Sequence, residues 1–201
     1  DYHGGDSLEQ VRAIPQREAL KARGIECLLL SDPVDNFWVT TALGYDGKPF
    51  KPITQGDLDL SAIPLLEQAD EKESDGAEDA AESARVVERL KALYADELSD
   101  VRASSRLVGS PACLVAPEGG PDRGLGRLLD RQAGKGSVKP VLEVNPKHAF
   151  TAALAKAKND DAFEDLAWLL LDQARILEGA LPADPAKYTE RMNKYVLGRE
   201  T

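Results

Sequence analysis

The segment DLAWLLLDQARILEG, from Asp165 to Gly179, concentrates large apolar residues in an otherwise acidic chain. On an α-helix, with about 100° between successive residues, one apolar stripe runs along this segment and its flanks. The stripe consists of Phe163, Leu166, Ala167, Leu170, Ala174, Leu177 and Leu181. Further apolar neighbours widen it to an arc of about 200°, more than a surface helix needs to face its own core. The helix therefore lies at the centre of a monomeric core or faces a second subunit as well, and periodicity alone favours neither arrangement.

The composition is strongly acidic. The 201 residues include 25 basic and 35 acidic ones, and the net charge of −10 argues against nucleic acid or a membrane surface as a partner. The longest apolar runs fall short of the ~20 residues that cross a bilayer. The first residues, DYHGGDS, do not resemble a signal peptide. Two cysteines far apart in sequence give no disulfide framework, so we expect a reducing, cytoplasmic compartment.

The beginning of the chain has the pattern of a small α/β unit, to which we assign residues 1–62. The predicted elements are, in order, a helix capped by Asp6 or Ser7 and running to Arg23, a buried strand from Ile25 to Leu30, a helix from Val34 to Leu43, an Asp-Gly turn and a strand from Phe50 to Ile53. This order of helices and strands predicts a sheet covered by helices.

An acidic segment follows this unit. Between Glu67 and Ser83 there are eight acidic residues and one lysine, so the stretch is either a solvated linker or the exposed start of a long helix. Apolar residues keep helical spacing from about Glu78 to Ala95. We therefore take residues 63–77 as an acidic connector and residues 78–201 as a second domain.

The second domain is predicted to be α+β. Asn145-Pro146 and Asp184-Pro185 both have the form of a helix start, in which proline follows a capping side chain. The last helix is expected to run from Pro185 to Leu197. A Gly-rich insertion separates the last two of three expected strands, which run from Val101 to Leu107, from Ala112 to Ala116 and from Val138 to Val144.

No catalytic or metal-binding constellation stands out in the sequence. His3 lies in a segment that we expect to be frayed, and His148 lies in the first turn of a predicted helix without a second histidine for a metal site. Cys27 and Cys113 are expected to be buried apolar residues. The glycine-rich GPDRGLG and AGKGS lack the spacing of phosphate-binding loops. Asp172, near the polar edge of the long helix, is expected to be exposed rather than buried in a site.

Three phrases together indicate a family. They are SSRLVGSPACLV (Ser104 to Val115), KPVLEVNPKH (Lys139 to His148) and LLLDQARILEGALPADPAKYTERMN (Leu169 to Asn193). In order and approximate spacing they resemble the C-terminal domain of the heat shock protein 90 chaperones, most closely the bacterial ones. Upstream of these, the phrases GDSLEQ, LKARGIECLLLSDPVDNFWV and YDGKPF resemble the last α/β subdomain of that family's middle domain. The resemblance covers nearly the whole chain.

The resemblance implies a homodimer. In this family the last two helices of each C-terminal domain form a four-helix bundle with those of the partner. Here these helices would be Asp161 to Glu178 and Pro185 to Leu197, which favours the two-subunit explanation of the wide apolar arc. The implied interface residues are Leu166, Leu169, Leu170, Ala174, Leu177, Tyr188, Met192 and Tyr195.

The resemblance also implies contact with unfolded or partly folded client proteins, in a cleft between the middle and C-terminal domains. Phe37 and Trp38 are neighbours on a predicted helix and cannot both face one sheet, so one of them is expected to be exposed or to face a neighbouring domain. Leu125, Leu128 and Leu129 would approach from the other side, although the insertion that carries them has no methionine. Client contact and packing in the interdomain joint are equal alternatives for the two aromatics.

In the resembling family, ATP and Mg²⁺ are bound by a separate N-terminal domain, and an arginine in an earlier part of the middle domain helps hydrolysis. Neither feature falls in this sequence, so we expect no catalytic residue, metal or cofactor in it. The expected function is that of the C-terminal part of a homodimeric chaperone. The alternative is a small α/β enzyme with an unrecognised active site, which would show a pocket with convergent, pKa-perturbed groups.

Overall fold

The computed structural model of the chain describes residues 1–42, 44–55, 60, 63–64, 66, 78–126 and 138–198. Its elements are, in order, β1 (Tyr2–Gly4), α1 (Leu8–Ala13), a 3₁₀ turn (Pro15–Arg17), α2 (Glu18–Lys21), β2 (Leu28–Leu30), α3 (Pro33–Thr41), α4 (Glu78–Leu93), β3 (Asp100–Ala103), β4 (Ala112–Val115), β5 (Val141–Val144), α5 (Ala149–Ala155), α6 (Asp160–Leu177) and α7 (Pro185–Val196). Residues 123–126 are also helical. The fold is α+β, as the sequence predicts.

The N-terminal part, by which we mean the described residues up to 66, contains one parallel pair of strands with helices around it. β1 pairs with β2, which is shorter than the strand predicted from Ile25 to Leu30. The strand predicted from Phe50 to Ile53 is wrong, because this segment forms only a single bridge between Pro52 and Tyr2. A small apolar cluster that includes Leu20 and Ile53 lies under these elements.

The first predicted helix is wrong in one respect, since it is interrupted at Ile14. Ser7 caps α1, as expected. Ile14 is extended, with φ of −70° and ψ of 137°, because a residue that precedes proline is disfavoured in the helical region. Pro15 then begins the 3₁₀ turn, and the chain becomes helical again at Glu18. Gly24, at a φ of 66°, follows the end of this helix.

α3 begins where the sequence predicts. The Asp32 side chain accepts a hydrogen bond from the Asp35 amide, and the Asp35 side chain accepts one from the Asp32 amide, which together form a capping box. The Asp32 side chain also accepts from the Val34 amide. Beyond α3, the predicted Asp-Gly turn is present. Asp46 and Gly47 have φ values of 50° and 73°, the paired positive angles that a two-residue hairpin turn needs.

The C-terminal part, residues 78–198, is built on a three-stranded sheet in the order β3-β5-β4. β5 is the central strand, parallel to β3 and antiparallel to β4. All three strands predicted in this part are present, and each is shorter than predicted. The predicted acidic connector, residues 63–77, falls almost entirely outside the described residues.

Both faces of this sheet are buried. One face, which includes Leu114 and Leu142, joins α4, α5 and α6 in the main apolar core. The other face carries Cys113, Val115 and Val141, which form a separate apolar cluster with Leu107. The 3₁₀ turn of the N-terminal part lies against β4 on this side. The N-terminal part therefore covers the second face of the C-terminal sheet.

The helix predicted to start at Asn145 starts instead at Ala149. His148 is its N-cap, with Nδ1 accepting a hydrogen bond from the Phe150 amide. The Asn145 side chain accepts from an amide two residues further on, so it stabilises a turn before the helix. The second predicted start is confirmed, because the Asp184 side chain caps α7.

The long apolar segment forms α6, capped by Asn159 and ending close to the predicted boundary. One side of α6 lies in the main core, where its buried residues are Phe163, Ala167, Leu170, Leu171 and Ala174. α7 packs on the opposite side of α6. Among the residues that the structure describes, no helix combines the length and apolar character needed to cross a membrane.

Candidate dimer and client surfaces

α7 is held on α6 by polar contacts. The Asp165 carboxylate of α6 binds two cations of α7, with Oδ1 3.3 Å from Nε of Arg191 and Oδ2 2.6 Å from Nζ of Lys194. The Tyr195 hydroxyl donates to the Ala162 carbonyl at 3.1 Å. The hydrogen bond to Asp165 raises the pKa of Lys194. Because the end of α7 meets the beginning of α6, the two helices form an antiparallel hairpin, in which no residue of α7 is buried.

An apolar surface is exposed on this hairpin. Met192 and Val196, one turn apart on α7, have 39% and 73% of their surface exposed. Residues four apart share a face of a helix, so these two side chains form one stripe. We use the name hairpin surface for the exposed apolar residues of this region, which are Ile176, Leu181, Met192, Val196 and Leu197.

The residues predicted for a dimer interface lie at different depths. Leu169, Leu170 and Ala174 are buried within the chain. Leu170 and Ala174 belong to the main core, so they lie beneath the hairpin surface rather than on it. Met192 is exposed, and the partly buried members of the predicted set are Leu166, Leu177, Tyr188 and Tyr195.

Sequence reasoning therefore identified the two helices but missed most of the hairpin surface. Of its exposed residues only Met192 was in the predicted set. A signal was available for two others. Val196 follows Met192 by one helical turn, and Leu181 continues the apolar stripe of α6 past the end of that helix.

The two neighbouring aromatics of α3 are both half exposed. Phe37 has 52% of its surface exposed and Trp38 has 50%, which confirms the expectation that one sheet cannot bury both. The Trp38 ring lies 5.3 Å from the ring of Phe50. Leu125, predicted to approach from the other side of a cleft, is partly buried, while Leu128 and Leu129 lie outside the described residues.

A groove of about 920 Å³ opens beside Trp38. Charged side chains of both signs lie among its lining residues, namely Arg17, Lys21 and Lys48 with Asp1 and Glu26. Its apolar lining consists of Leu20, Ile25, Leu28, Trp38, Pro49 and Phe50. We call it the α3 groove. Its apolar lining is suited to an apolar segment.

Two polar residues are not where the sequence predicts them. His3 is buried rather than frayed, because β1 is paired with β2. Asp172 is buried rather than exposed, because its Oδ1 lies 3.2 Å from Nη1 of Arg175. Arg175 also binds Glu97 at 2.6 Å, which connects α6 to the turn after α4. Burial, together with the charge of Asp172, raises the pKa of Tyr94 well above its ordinary value. Each of these charges has an opposite partner, so the loss of one would leave an uncompensated charge within the chain.

The cysteines have the surroundings of structural residues. Cys113 is buried, as predicted, and burial raises the pKa of its thiol well above the ordinary value. Cys27, also predicted to be buried, is only partly buried, and burial raises its pKa as well. A thiol with a raised pKa is a poor nucleophile near neutral pH. Within the described ranges, no group of three His, Cys, Asp or Glu side chains could hold a metal ion.

An α/β unit, a three-stranded sheet and a terminal helical hairpin are the parts that the sequence resemblance implies. The family model of the Hsp90 protein matches residues 2–199, and the chain belongs to that family.

Among its relatives, the chaperone protein HtpG of Rhodopseudomonas palustris strain BisB18 is 47% identical over 196 residues, which cover 98% of this chain and 31% of the relative. The chaperone protein HtpG of Rhizobium meliloti is 50% identical over 202 residues, with the same shares of the two chains. That of Mesorhizobium japonicum is 48% identical over 199 residues. The chain therefore spans about a third of the length of the curated relatives that it matches.

We expect Asp165→Asn to loosen α7 from α6, because the amide cannot neutralise Arg191 and Lys194. The loss in docking free energy should reach about 1 kcal/mol, as for a partly exposed charge pair. Arg191 lies over the Trp168 ring, 5.7 Å from its centre, so Trp168 reports on docking. In a Trp38→Phe background, the emission of Trp168 should shift to the red and the α7 amides should exchange faster.

Asp160→Asn is the control. Asp160 also lies on α6 and pairs with a cation, but its side chain is 99% exposed and its partner, Arg89, is on α4. This variant should leave both signals unchanged. Equal responses of the two variants would contradict a specific role of Asp165.

Proposed function

We propose that the chain is the C-terminal part of a homodimeric Hsp90-type chaperone. Residues 1–62 would be the end of its middle domain, residues 63–77 the acidic connector and residues 78–201 the dimerisation domain. Its task would be to join two long arms at one end, so that their far ends meet at a high effective concentration. Membership of the Hsp90 family and the similarity to HtpG chaperones support this function.

The proposal rests on the exposure of α7. This helix has a regular apolar stripe, yet none of its residues is buried against its own chain. An amphipathic helix gains most of its stability by burying its apolar face. A two-fold partner would supply that burial, with each α6-α7 hairpin packing on its copy in a four-helix bundle.

The first test of this proposal is Val196→Asp. Val196 is exposed in the single chain, so the substitution should not disturb its core. In the dimer, the new carboxylate would be buried against apolar side chains, at a cost above about 2 kcal/mol, or roughly 30-fold in the dissociation constant. Sedimentation velocity at micromolar concentration should show dimers for the parent chain and monomers for the variant.

Val34→Asp makes the same change at a matched position, since Val34 is 69% exposed and lies on α3. This control should remain dimeric. A parent chain that sediments as a monomer would contradict the proposal. Leu170 is less suitable for this test because it is 1% exposed, so Leu170→Asp would report on folding rather than on association.

We also propose that the half-exposed aromatics of α3, with the α3 groove beside them, contact unfolded client proteins. Exposed apolar surface of this kind is what a protein that holds unfolded chains needs. Because both aromatics are half exposed, they could instead pack against another domain of the intact protein, which is the alternative. Leu125, Leu128 and Leu129 remain proposed contacts on the opposite side.

Phe37→Ala and Trp38→Ala separate these alternatives. If the aromatics hold clients, about fivefold more of either variant should be needed to suppress aggregation of a model unfolded protein, as for an anchor worth ~1 kcal/mol. Val34→Ala, an exposed change on the same helix, should protect like the parent. Full protection by all three variants, with dimers intact, would assign the aromatics to an interdomain joint.

The ATP and Mg²⁺ site is proposed to lie in the portion of the relatives outside this chain. The glycine spacing and the net charge of −10 both argue against polyphosphate binding by this portion. We therefore expect isothermal calorimetry with ATP and Mg²⁺ to give no saturable heat at micromolar concentrations. Saturable binding would instead favour the alternative of an enzyme with an unrecognised site.

A further inference from the structure

We propose that Glu18 and the loop at residues 108–110 form a latch that makes the N-terminal and C-terminal parts one rigid body. The latch would fix the position of α3 relative to the α6-α7 hairpin. It is independent of whether the hairpin dimerises and of whether α3 binds clients.

The latch is a carboxylate surrounded by donors from the other part of the chain. Glu18 Oε2 accepts three backbone N–H groups, those of Val108 at 2.9 Å, Gly109 at 2.8 Å and Ser110 at 3.1 Å. The Ser110 hydroxyl donates to the other oxygen, Oε1. These partners are 90 to 92 residues away in sequence, so the contact joins distant segments.

Three successive amides that converge on one oxygen form an anion-binding nest, which requires a negative charge for its full strength. Burial alone would raise the pKa of Glu18, but the Ser110 hydroxyl and the three amides lower it below its ordinary value. The carboxylate is therefore ionised at neutral pH, in the form that accepts all four hydrogen bonds. Val108 and Gly109 are exposed, so apolar burial contributes little to holding this part of the loop.

Among the described residues, other hydrogen bonds cross the same boundary. They run from the Ala116 amide to the Thr54 carbonyl at 2.8 Å, from the Thr54 hydroxyl to the Asp122 carboxylate and from the Gln10 side chain to the Glu178 carbonyl. Gln16 donates to the Leu114 carbonyl at 2.6 Å, and Arg106 donates to the Ile53 carbonyl at 3.1 Å. These contacts place the N-terminal part on the second face of the sheet. Glu18 lies two residues from Gln16, at the start of α2, and holds the loop that connects β3 to β4. Removing its charge therefore weakens an attachment in which four hydrogen bonds converge on one carboxylate.

The test uses the two tryptophans of the chain, one in each part. Trp168→Phe leaves Trp38 as the reporter of the N-terminal part, and Trp38→Phe leaves Trp168 as the reporter of the C-terminal part. In each background, urea unfolding is compared for Glu18, Glu18→Gln and Glu9→Gln at one protein concentration. Glu9→Gln makes the same chemical change at an exposed position of α1.

With Glu18 or with Glu9→Gln, the two reporters should give the same urea midpoint, as one cooperative body requires. With Glu18→Gln, the Trp38 midpoint should fall below the Trp168 midpoint, and the amides of residues 108–110 should exchange about tenfold faster or more. Coincident midpoints in Glu18→Gln, or unchanged amide exchange, would overturn the latch. If Glu18→Gln does not fold, Ser110→Ala removes one donor, and unchanged exchange at Val108 and Gly109 in that variant would overturn it equally.

Discussion

Burial of the sheet β3-β5-β4 on both faces is the constraint that orders the rest of the chain. One face is covered by the helices of the C-terminal part, and the other needs the N-terminal part as its cover. The second face also carries Glu143, whose carboxylate is 2.8 Å from Arg102 and 2.9 Å from Arg106. Arg106 reaches across the boundary to the Ile53 carbonyl, so removing the N-terminal part would expose both apolar surface and a buried charge network. The two parts thus depend on each other physically, although each has its own sheet.

α6 packs against two different parts of the structure, and its wide apolar arc in the sequence reflects both contacts. The side with Phe163 and Leu171 closes the main core, and Asp172 on this helix is neutralised by Arg175. The other side supports α7, which attaches through Asp165 rather than through buried apolar residues. The helix that completes the fold is therefore also the base on which an exposed apolar surface is displayed.

The sequence predicted the structure well where residues that are adjacent in the chain determine it. Asp32 and Asp184 cap their helices as expected, and Ile14 is extended because proline follows it, a signal that could have been read from the sequence. Burial of polar residues was not predictable in the same way. Arg175 follows Asp172 by three residues on the same helix, a spacing that could have been read from the sequence, but the other partner of Arg175, Glu97, lies 78 residues away and could not. The candidate dimer surface shows the same contrast between local signals and packing. Its two helices were predicted, but which of their residues are exposed depends on how α7 lies on α6.

The weak attachment of α7 has a thermodynamic consequence for association. A helix of twelve residues is marginal in water unless its apolar face is buried. In a single chain, undocking of this helix is opposed by the polar contacts around Asp165, by the Tyr195 hydroxyl and by the partial burial of Tyr188 and Tyr195. Burying Met192 and Val196 against a partner would order α7 at the same step as it forms the interface. Ordering of the hairpin and dimerisation would then be linked, so the stability of α7 should increase with protein concentration while that of the β3-β5-β4 core changes less.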